Sequence, residues 1–121
     1  MNKVLVIDDE TAILKLLESF LVNQNWQVIT AGFSAEGIEQ FHAERNSVEC
    51  AIVDQTLPDE EGIQTVAKLR EINPELAVVI ISGAEDSRII DSIERDPNTE
   101  YLTKPFQMEE MLNTLNGLLD Q

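Results

Sequence analysis

Short apolar runs alternate with amphipathic segments along the whole chain. Five of these runs have the length of buried strands, and most of them end on a polar residue. They cover residues 3–7, 26–30, 50–54, 76–81 and 100–103. Their apolar character is continuous rather than alternating, which is typical of strands that are covered on both faces of a parallel sheet.

Between these runs, apolar residues recur at the three- and four-residue spacing of amphipathic helices. This spacing predicts helices over residues 10–25, 35–44, 63–72, 87–95 and 108–119. Ser34 stands directly before the second helix, so we predict that its side chain caps that helix. Five strands that alternate with five helices favour a single doubly wound α/β domain over residues 1–121.

Reactive side chains follow the carboxyl ends of four predicted strands. Parallel strands place these ends at one edge of the sheet, and open α/β sheets bind ligands along that edge. We therefore expect five residues to converge there: Asp8, Asp9, Asp54, Ser82 and Lys104.

Composition and charge narrow the function classes. With 121 residues, of which 43% are hydrophobic, the chain can bury a core without disulfides or metals. A net charge of −15, from 23 acidic and 8 basic residues, argues against unaided binding of nucleic acid or an anionic membrane. The single cysteine, Cys50, lies in an apolar run, which favours a structural thiol. Since neither a long apolar segment nor a signal peptide is found, we expect a cytoplasmic protein.

The acidic residues at the sheet edge form a candidate metal site. Carboxylates that lie close together repel one another unless they share a cation, and Mg²⁺ prefers oxygen ligands of this kind together with phosphate. Three carboxylates, one divalent ion and Lys104 sum to zero charge, so a phosphoryl group on Asp54 adds only about one negative charge. Ser82 and Lys104 supply donors for phosphoryl oxygens.

Each of these residues also has a purely structural interpretation. Asp8 and Asp9 could cap the first helix, Asp54 could cap a loop, and Ser82 could begin a turn. Each alternative is credible for one residue. Four neighbouring strand ends that all suit one phosphoryl site with Mg²⁺ favour the chemical interpretation.

At these positions the chain resembles the receiver domains of two-component response regulators. The matching blocks are VIDDE at 6–10, VD at 53–54 with Leu57, Pro58 and Gly62, ISG at 81–83, and YLTKPF at 101–106. The spacing of the blocks fits the family along all 121 residues. The resemblance implies a flavodoxin-like fold with a five-stranded parallel sheet in the order 2-1-3-4-5 and five helices.

The resemblance implies that Asp54 is the phosphoacceptor, which takes a phosphoryl group from a histidine kinase or a histidine phosphotransfer protein. It also implies a Mg²⁺ cofactor, with Mn²⁺ as an alternative ion. Asp9 and Asp54 would bind the metal directly, Asp8 largely through water, and Thr56 through its backbone carbonyl. The domain would not be a conventional enzyme, because it would catalyse its own phosphorylation and a slow autodephosphorylation.

Further roles follow from the same resemblance. Lys104 and Ser82 would hold phosphoryl oxygens, and the backbone N–H of Gly83 would assist them. Ser82 and Tyr101 would form the switch pair, and Lys104–Pro105 would be a cis peptide bond. The fourth helix, fifth strand and fifth helix would then contact an effector protein or an output domain, without direct binding to nucleic acid or membrane.

Three alternatives compete with this interpretation. A pseudo-receiver would be an interaction module that never accepts phosphate, but the full acidic set and Lys104 argue against it. A phosphohydrolase of the haloacid dehalogenase type needs a second aspartate two residues after its nucleophile, and here Thr56 follows Asp54 at that distance. A flavodoxin needs a phosphate-binding loop after its first strand, where Asp8 and Asp9 would repel the flavin phosphate.

Overall fold

The computed structural model describes residues 2–120, with the side chain of Ser92 left out. Its sheet is entirely parallel and has five strands, in the order β2-β1-β3-β4-β5. The strands are β1 Lys3–Ile7, β2 Gln27–Ala31, β3 Cys50–Asp54, β4 Ala77–Ser82 and β5 Thr99–Thr103. The predicted doubly wound fold, its strand order and its five-helix count are confirmed.

Helices connect each strand to the next and follow the last one. They are α1 Thr11–Asn23, α2 Ser34–Ala43, α3 Gly62–Ile72, α4 Ser87–Arg95 and α5 Met108–Leu119. The predicted bounds of α4 and α5 agree with the structure. Within residues 2–120, no helix has both the length and the apolar character needed to cross a bilayer.

Two apolar layers enclose the sheet, because alternate residues of the same strand point to opposite faces. One layer joins the sheet to α2, α3 and α4 through side chains that include Phe41, Leu69 and Ile89. The other joins it to α1 and α5 and includes Leu17 and Met111. Burial on both faces explains why the strand sequences are continuously apolar.

Cys50 belongs to this buried interior. Its side chain is fully buried in β3, and burial, together with the negative charge of Glu49, raises the pKa of the thiol. The thiol is therefore protonated and suited to packing, as the sequence predicted.

The predicted cap of α2 is wrong. The helix begins at Ser34 itself, and the backbone N–H groups of Ser34 and Ala35 donate to the two carboxylate oxygens of Asp59 at 2.8 and 2.9 Å. Burial alone would raise the pKa of Asp59, but these two donors outweigh it and lower the pKa. A carboxylate from the loop before α3 thus takes the place of the expected serine cap.

Candidate functional site

The carboxyl ends of neighbouring strands bring the reactive residues together. Ile7 of β1 pairs with Val53, so Asp8 emerges beside Asp54 at the end of β3. Asp54 in turn pairs with Ile81, directly before Ser82. Parallel pairing therefore places these strand ends on one edge, as the sequence predicted.

Lys104 joins the acidic side chains at this edge. Its ammonium nitrogen Nζ lies 2.8 Å from Glu10 Oε1, 3.2 Å from Asp8 Oδ2 and 3.3 Å from Asp54 Oδ2. Burial alone would lower the pKa of Lys104, but the hydrogen bond to Glu10 and the negative charges of Asp8 and Asp54 raise it. The lysine is therefore a fixed positive charge in contact with three carboxylates.

The surroundings of Asp54 disfavour the charge of its carboxylate. Its side chain is buried, and burial followed by the negative charge of Asp8 raises its pKa to about 6, against the opposing effect of Lys104. The backbone N–H of Thr56 donates a 3.3 Å hydrogen bond to Asp54 Oδ1. Asp54 thus has one oxygen held by the following loop and one in contact with Lys104.

Asp8 has an oxygen available for a ligand. Oδ1 accepts a 2.9 Å hydrogen bond from the backbone N–H of Glu10. Oδ2 is buried and accepts no hydrogen bond of normal geometry from the described residues, and its contact is the 3.2 Å ion pair with Lys104 Nζ. Asp8, Glu10 and Asp54 each offer a carboxylate oxygen, and these oxygens lie within 4.8 Å of one another. Closely spaced oxygens, one of them buried without a hydrogen bond, fit a hard divalent cation.

Other predicted metal ligands are less closely tied to this group. Asp9 is exposed and lies outside the group of neighbouring oxygens. Thr56 is exposed, and its recorded contact with Asp54 is made by the N–H group. The roles of Asp9 and of the Thr56 carbonyl therefore stay predictions.

Glu10 is a site residue that the sequence interpretation missed. Its carboxylate contacts Lys104. The chain turns as it leaves β1, where the backbone N–H of Glu10 donates to the side chain of Asp8, and this turn brings Glu10 to the site. The signal was present, since a third acidic residue follows the same strand end. Its proximity to the β5 end could be read only from the folded chain.

A glycine holds the loop after Asp54 against the strand. A Cβ atom on Gly62 would lie 2.5 Å from the backbone oxygen of Asp54 and 2.8 Å from the Cα of Gln55. The N–H of Gly62 also donates a 2.8 Å hydrogen bond to the Gln55 carbonyl. The close backbone approach therefore excludes a side chain at position 62.

The predicted switch residues meet at one backbone oxygen. The hydroxyl of Ser82 and the phenol of Tyr101 each donate a 2.8 Å hydrogen bond to the carbonyl of Ala84. Nearby, the backbone N–H of Lys104 donates to the Ser82 carbonyl at 2.7 Å, and the predicted cis bond between Lys104 and Pro105 is confirmed. The neighbouring Gly83 is exposed.

An apolar groove opens beside Lys104. It has a volume of about 370 Å³ and is lined by Glu10, Ile13, Leu16, Lys104, Pro105, Phe106 and Met108. Leu16 is 59% exposed although it belongs to α1. The groove therefore places an apolar surface directly beside the acidic group.

Comparison with known sequences points in one direction. The model of the response regulator receiver domain family matches residues 4–116. The transcriptional regulatory protein SrrA of Staphylococcus aureus is 29% identical over 118 residues, which are 98% of this chain and 48% of SrrA. The chain therefore spans about half the length of the curated relatives it matches.

Solved structures agree on the fold. A response regulator receiver domain protein from Clostridium thermocellum has a TM-score of 0.91 and 30% identity, covering 99% of this chain and 95% of that chain. A chain of the CheX–CheY–BeF3–Mg²⁺ complex from Borrelia burgdorferi has a TM-score of 0.88 and 19% identity, covering 98% of this chain and 89% of that chain. The second likeness concerns the fold alone.

Proposed function

The chain belongs to the response regulator receiver domain family, and from this we propose that Asp54 accepts a phosphoryl group and thereby switches a protein contact surface. The observation that carries the proposal is the buried contact between Lys104 and the carboxylates of Asp8 and Asp54 at the strand ends. A positive charge held beside a reactive carboxylate is suited to phosphoryl oxygens.

In the proposed transfer, one oxygen of Asp54 forms a bond to phosphorus while the phosphorus–nitrogen bond of a phosphohistidine breaks. The electron pair of the broken bond returns to the imidazole nitrogen of the donor. Lys104 holds the transferred oxygens as its contact with the Asp54 carboxylate is replaced by contact with the acyl phosphate. The work of the chain is therefore positioning and charge neutralisation.

Asp9 and Asp54 are the residues that we propose as direct metal ligands, with Asp8 acting largely through water and the Thr56 carbonyl completing the set. The buried Oδ2 of Asp8 supports this assignment, and Glu10 is a further carboxylate of the same group. When bound, Mg²⁺ or Mn²⁺ would neutralise negative charge on the carboxylates and on the phosphoryl oxygens.

We propose that the domain acts as a switch that catalyses its own phosphorylation and, slowly, the hydrolysis of the acyl phosphate by water. We propose that Ser82 turns its hydroxyl from the Ala84 carbonyl to a phosphoryl oxygen, with the Gly83 N–H as a second donor. Tyr101 shares the Ala84 carbonyl and would respond to this change. The contact surface formed by α4, β5 and α5 would then change its affinity for an effector protein or an output domain.

The phosphoryl donor would be a histidine kinase or a histidine phosphotransfer protein that docks beside Lys104. The apolar groove supports this location, because a donor histidine must approach Asp54 from the same edge of the sheet. The exposed Leu16 together with Phe106 and Met108 offers apolar surface for that contact.

Treatment with acetyl phosphate and Mg²⁺ tests the proposal. We expect the intact mass to rise by one phosphoryl group and the modification to map to Asp54. Asp54→Asn is the matched control and should remain unmodified, with its fold verified by circular dichroism. An unchanged mass of the folded wild-type protein would contradict the proposal and favour a pseudo-receiver that acts through binding alone.

A further inference from the structure

An arginine on the first turn of α4 reaches across to the loop that follows Asp54. Arg88 donates from Nη2 to Glu61 Oε2 at 2.6 Å and from Nη1 to Glu61 Oε1 at 3.3 Å. The same side chain contacts Asp86, the N-cap of α4, at 2.9 Å. Two carboxylates thus orient the guanidinium across the gap between the two loops.

Glu61 continues this contact toward the strand end. Its Oε2 also accepts a 2.9 Å hydrogen bond from the side chain of Gln55, the buried residue directly after Asp54. The amide oxygen of Gln55, Oε1, accepts a 3.0 Å hydrogen bond from the backbone N–H of Ile63. Hydrogen bonds therefore run without a break from the neighbour of Asp54 to Arg88.

The segment that Arg88 holds has few other buried contacts. Among the described side chains of α4, Ile89 alone is fully buried. The residues between the end of β4 and α4 include Ala84, whose carbonyl accepts from Ser82 and Tyr101. Movement of this loop would therefore move the first turn of α4 and the contact between Arg88 and Glu61.

We propose that Gln55, Glu61 and Arg88 form a strap that holds the first turn of α4 against the loop that follows the phosphoacceptor. The trigger rests on the proposed function, because Ser82 must give up the Ala84 carbonyl before it can donate to a phosphoryl oxygen. The mechanical part concerns the unmodified protein and can be tested without phosphorylation. The strap opposes the movement of the Ser82 loop, so opening it favours the modified state.

Amide hydrogen exchange tests the mechanical part. The N–H groups of Ile89 and Ile90 donate to the Asp86 carbonyl and report on the first turn of α4. In Arg88→Gln and in Glu61→Gln we expect these amides to exchange about two- to fivefold faster, the range expected for loss of an exposed ion pair. Lys68→Gln breaks another exposed ion pair of α3 and should leave both amides unchanged.

The double variant separates the strap from local effects. Glu61→Gln keeps a side-chain oxygen for Gln55 and leaves the contact between Arg88 and Asp86 intact. Arg88→Gln removes that contact as well, so if the strap is one unit, Glu61→Gln combined with Arg88→Gln accelerates exchange no further than Arg88→Gln alone. Exchange rates equal to those of the wild type in both single variants, or fully additive effects, would overturn the inference.

Titration with beryllofluoride and Mg²⁺ tests the coupling to the site. Breaking the strap with Glu61→Gln should raise the apparent affinity of the folded protein by about two- to fivefold. An unchanged affinity would show that the strap does not restrain the loop and would overturn the coupling. Failure of the wild type to bind beryllofluoride would count against the proposed function and against the trigger, whereas the exchange experiment would still decide whether the strap exists.

Discussion

Arginine side chains tie α4 to α3 at both ends, and the two contacts differ in what they bind. At the edge away from the site, Arg70 of α3 donates to the backbone carbonyls of Leu76 and Asn98 at 2.9 and 3.1 Å, and to the Thr99 hydroxyl at 2.8 Å. It also pairs with Asp96 at the end of α4. Its side chain is only 19% exposed.

At the site edge, the contacts of Arg88 to Glu61 and Asp86 are made with side-chain carboxylates, and the Arg88 side chain is 57% exposed. The carboxylate of Glu61 can be hydrated when its ion pair opens, because this side chain is 46% exposed, whereas the carbonyl of the buried Leu76 would lose both of its guanidinium donors. The comparison shows that α4 is firmly attached at the distant edge and adjustably attached beside Asp54. We therefore expect the end of α4 near the site to move more readily than the distant end.

The largest effect should follow from removal of the distant tie. Arg70→Ala removes both guanidinium donors of the Leu76 carbonyl, one donor of the Asn98 carbonyl and the cation beside Asp96, so we expect a loss of about 3 kcal/mol in the free energy of unfolding. Urea unfolding followed by circular dichroism measures this loss. Arg95→Ala removes an exposed arginine from the end of α4 and should change stability by less than about 0.5 kcal/mol. Equal losses of unfolding free energy in Arg70→Ala and Arg95→Ala would show that Arg70 does not attach α4 more firmly at the distant edge.

A smaller loss of stability should follow from Gly62→Ala. This variant tests whether the backbone of the loop after Asp54 is rigid, although the contact of Arg88 on its surface can open. The added methyl group would collide with the backbone of Asp54, so we expect a loss of about 2 kcal/mol. Gly117→Ala is the matched control, because a Cβ atom there meets nothing within 4 Å and lies in α5. The control should gain about 0.5–1 kcal/mol. If Gly62→Ala is as stable as the wild type, the backbone of the loop can shift to accommodate the added methyl group.

Acid should weaken the distant tie. Burial alone would raise the pKa of Asp96, but hydrogen bonds from the Asn98 N–H and the Thr99 hydroxyl, with the charge of Arg70, lower it. A lowered pKa adds stability above the ordinary pKa of aspartate, and this contribution is lost as pH falls through the folded value. Asp96→Asn should therefore lose stability at neutral pH, and its difference from the wild type should narrow in acid. Asp91→Asn, at an exposed position of α4, should show no such narrowing.

The smallest effect on stability should follow from Arg88→Ala. Because this side chain is exposed, we expect a loss of less than about 1 kcal/mol in the free energy of unfolding, measured by urea unfolding. The same variant should nevertheless accelerate amide exchange at the start of α4. A large shift of the midpoint would show that the site edge is as firmly fixed as the distant edge.

The sequence predicted those features that depend on periodicity along the chain. Continuous apolar runs indicated buried parallel strands, and the bounds of α4 and α5 followed from the spacing of their apolar residues. The ends of these strands then placed Asp8, Asp54 and Lys104 at one edge, which the structure confirms. Their chemical roles came from resemblance to receiver domains.

Contacts between loops that are distant in sequence could not be read in this way. Asp59 caps a helix that begins 25 residues earlier in the chain. The local pattern therefore predicted Ser34 as the cap, which was wrong. Glu10 and Lys104 are 94 residues apart and meet only because β1 and β5 end at the same edge. The contact of Arg88 with Glu61 likewise requires the relative placement of α3 and α4, for which local patterns carry no signal.

The hydrogen bonds from Ser82 and Tyr101 end on a main-chain oxygen at position 84. Since every amino acid carries that oxygen, a substitution at position 84 changes the side chain there without disconnecting the serine from the tyrosine. A carbonyl has two lone pairs, so both hydroxyls can be accommodated at once. The junction is therefore tolerant of mutation, while the chemistry around it is free to diversify.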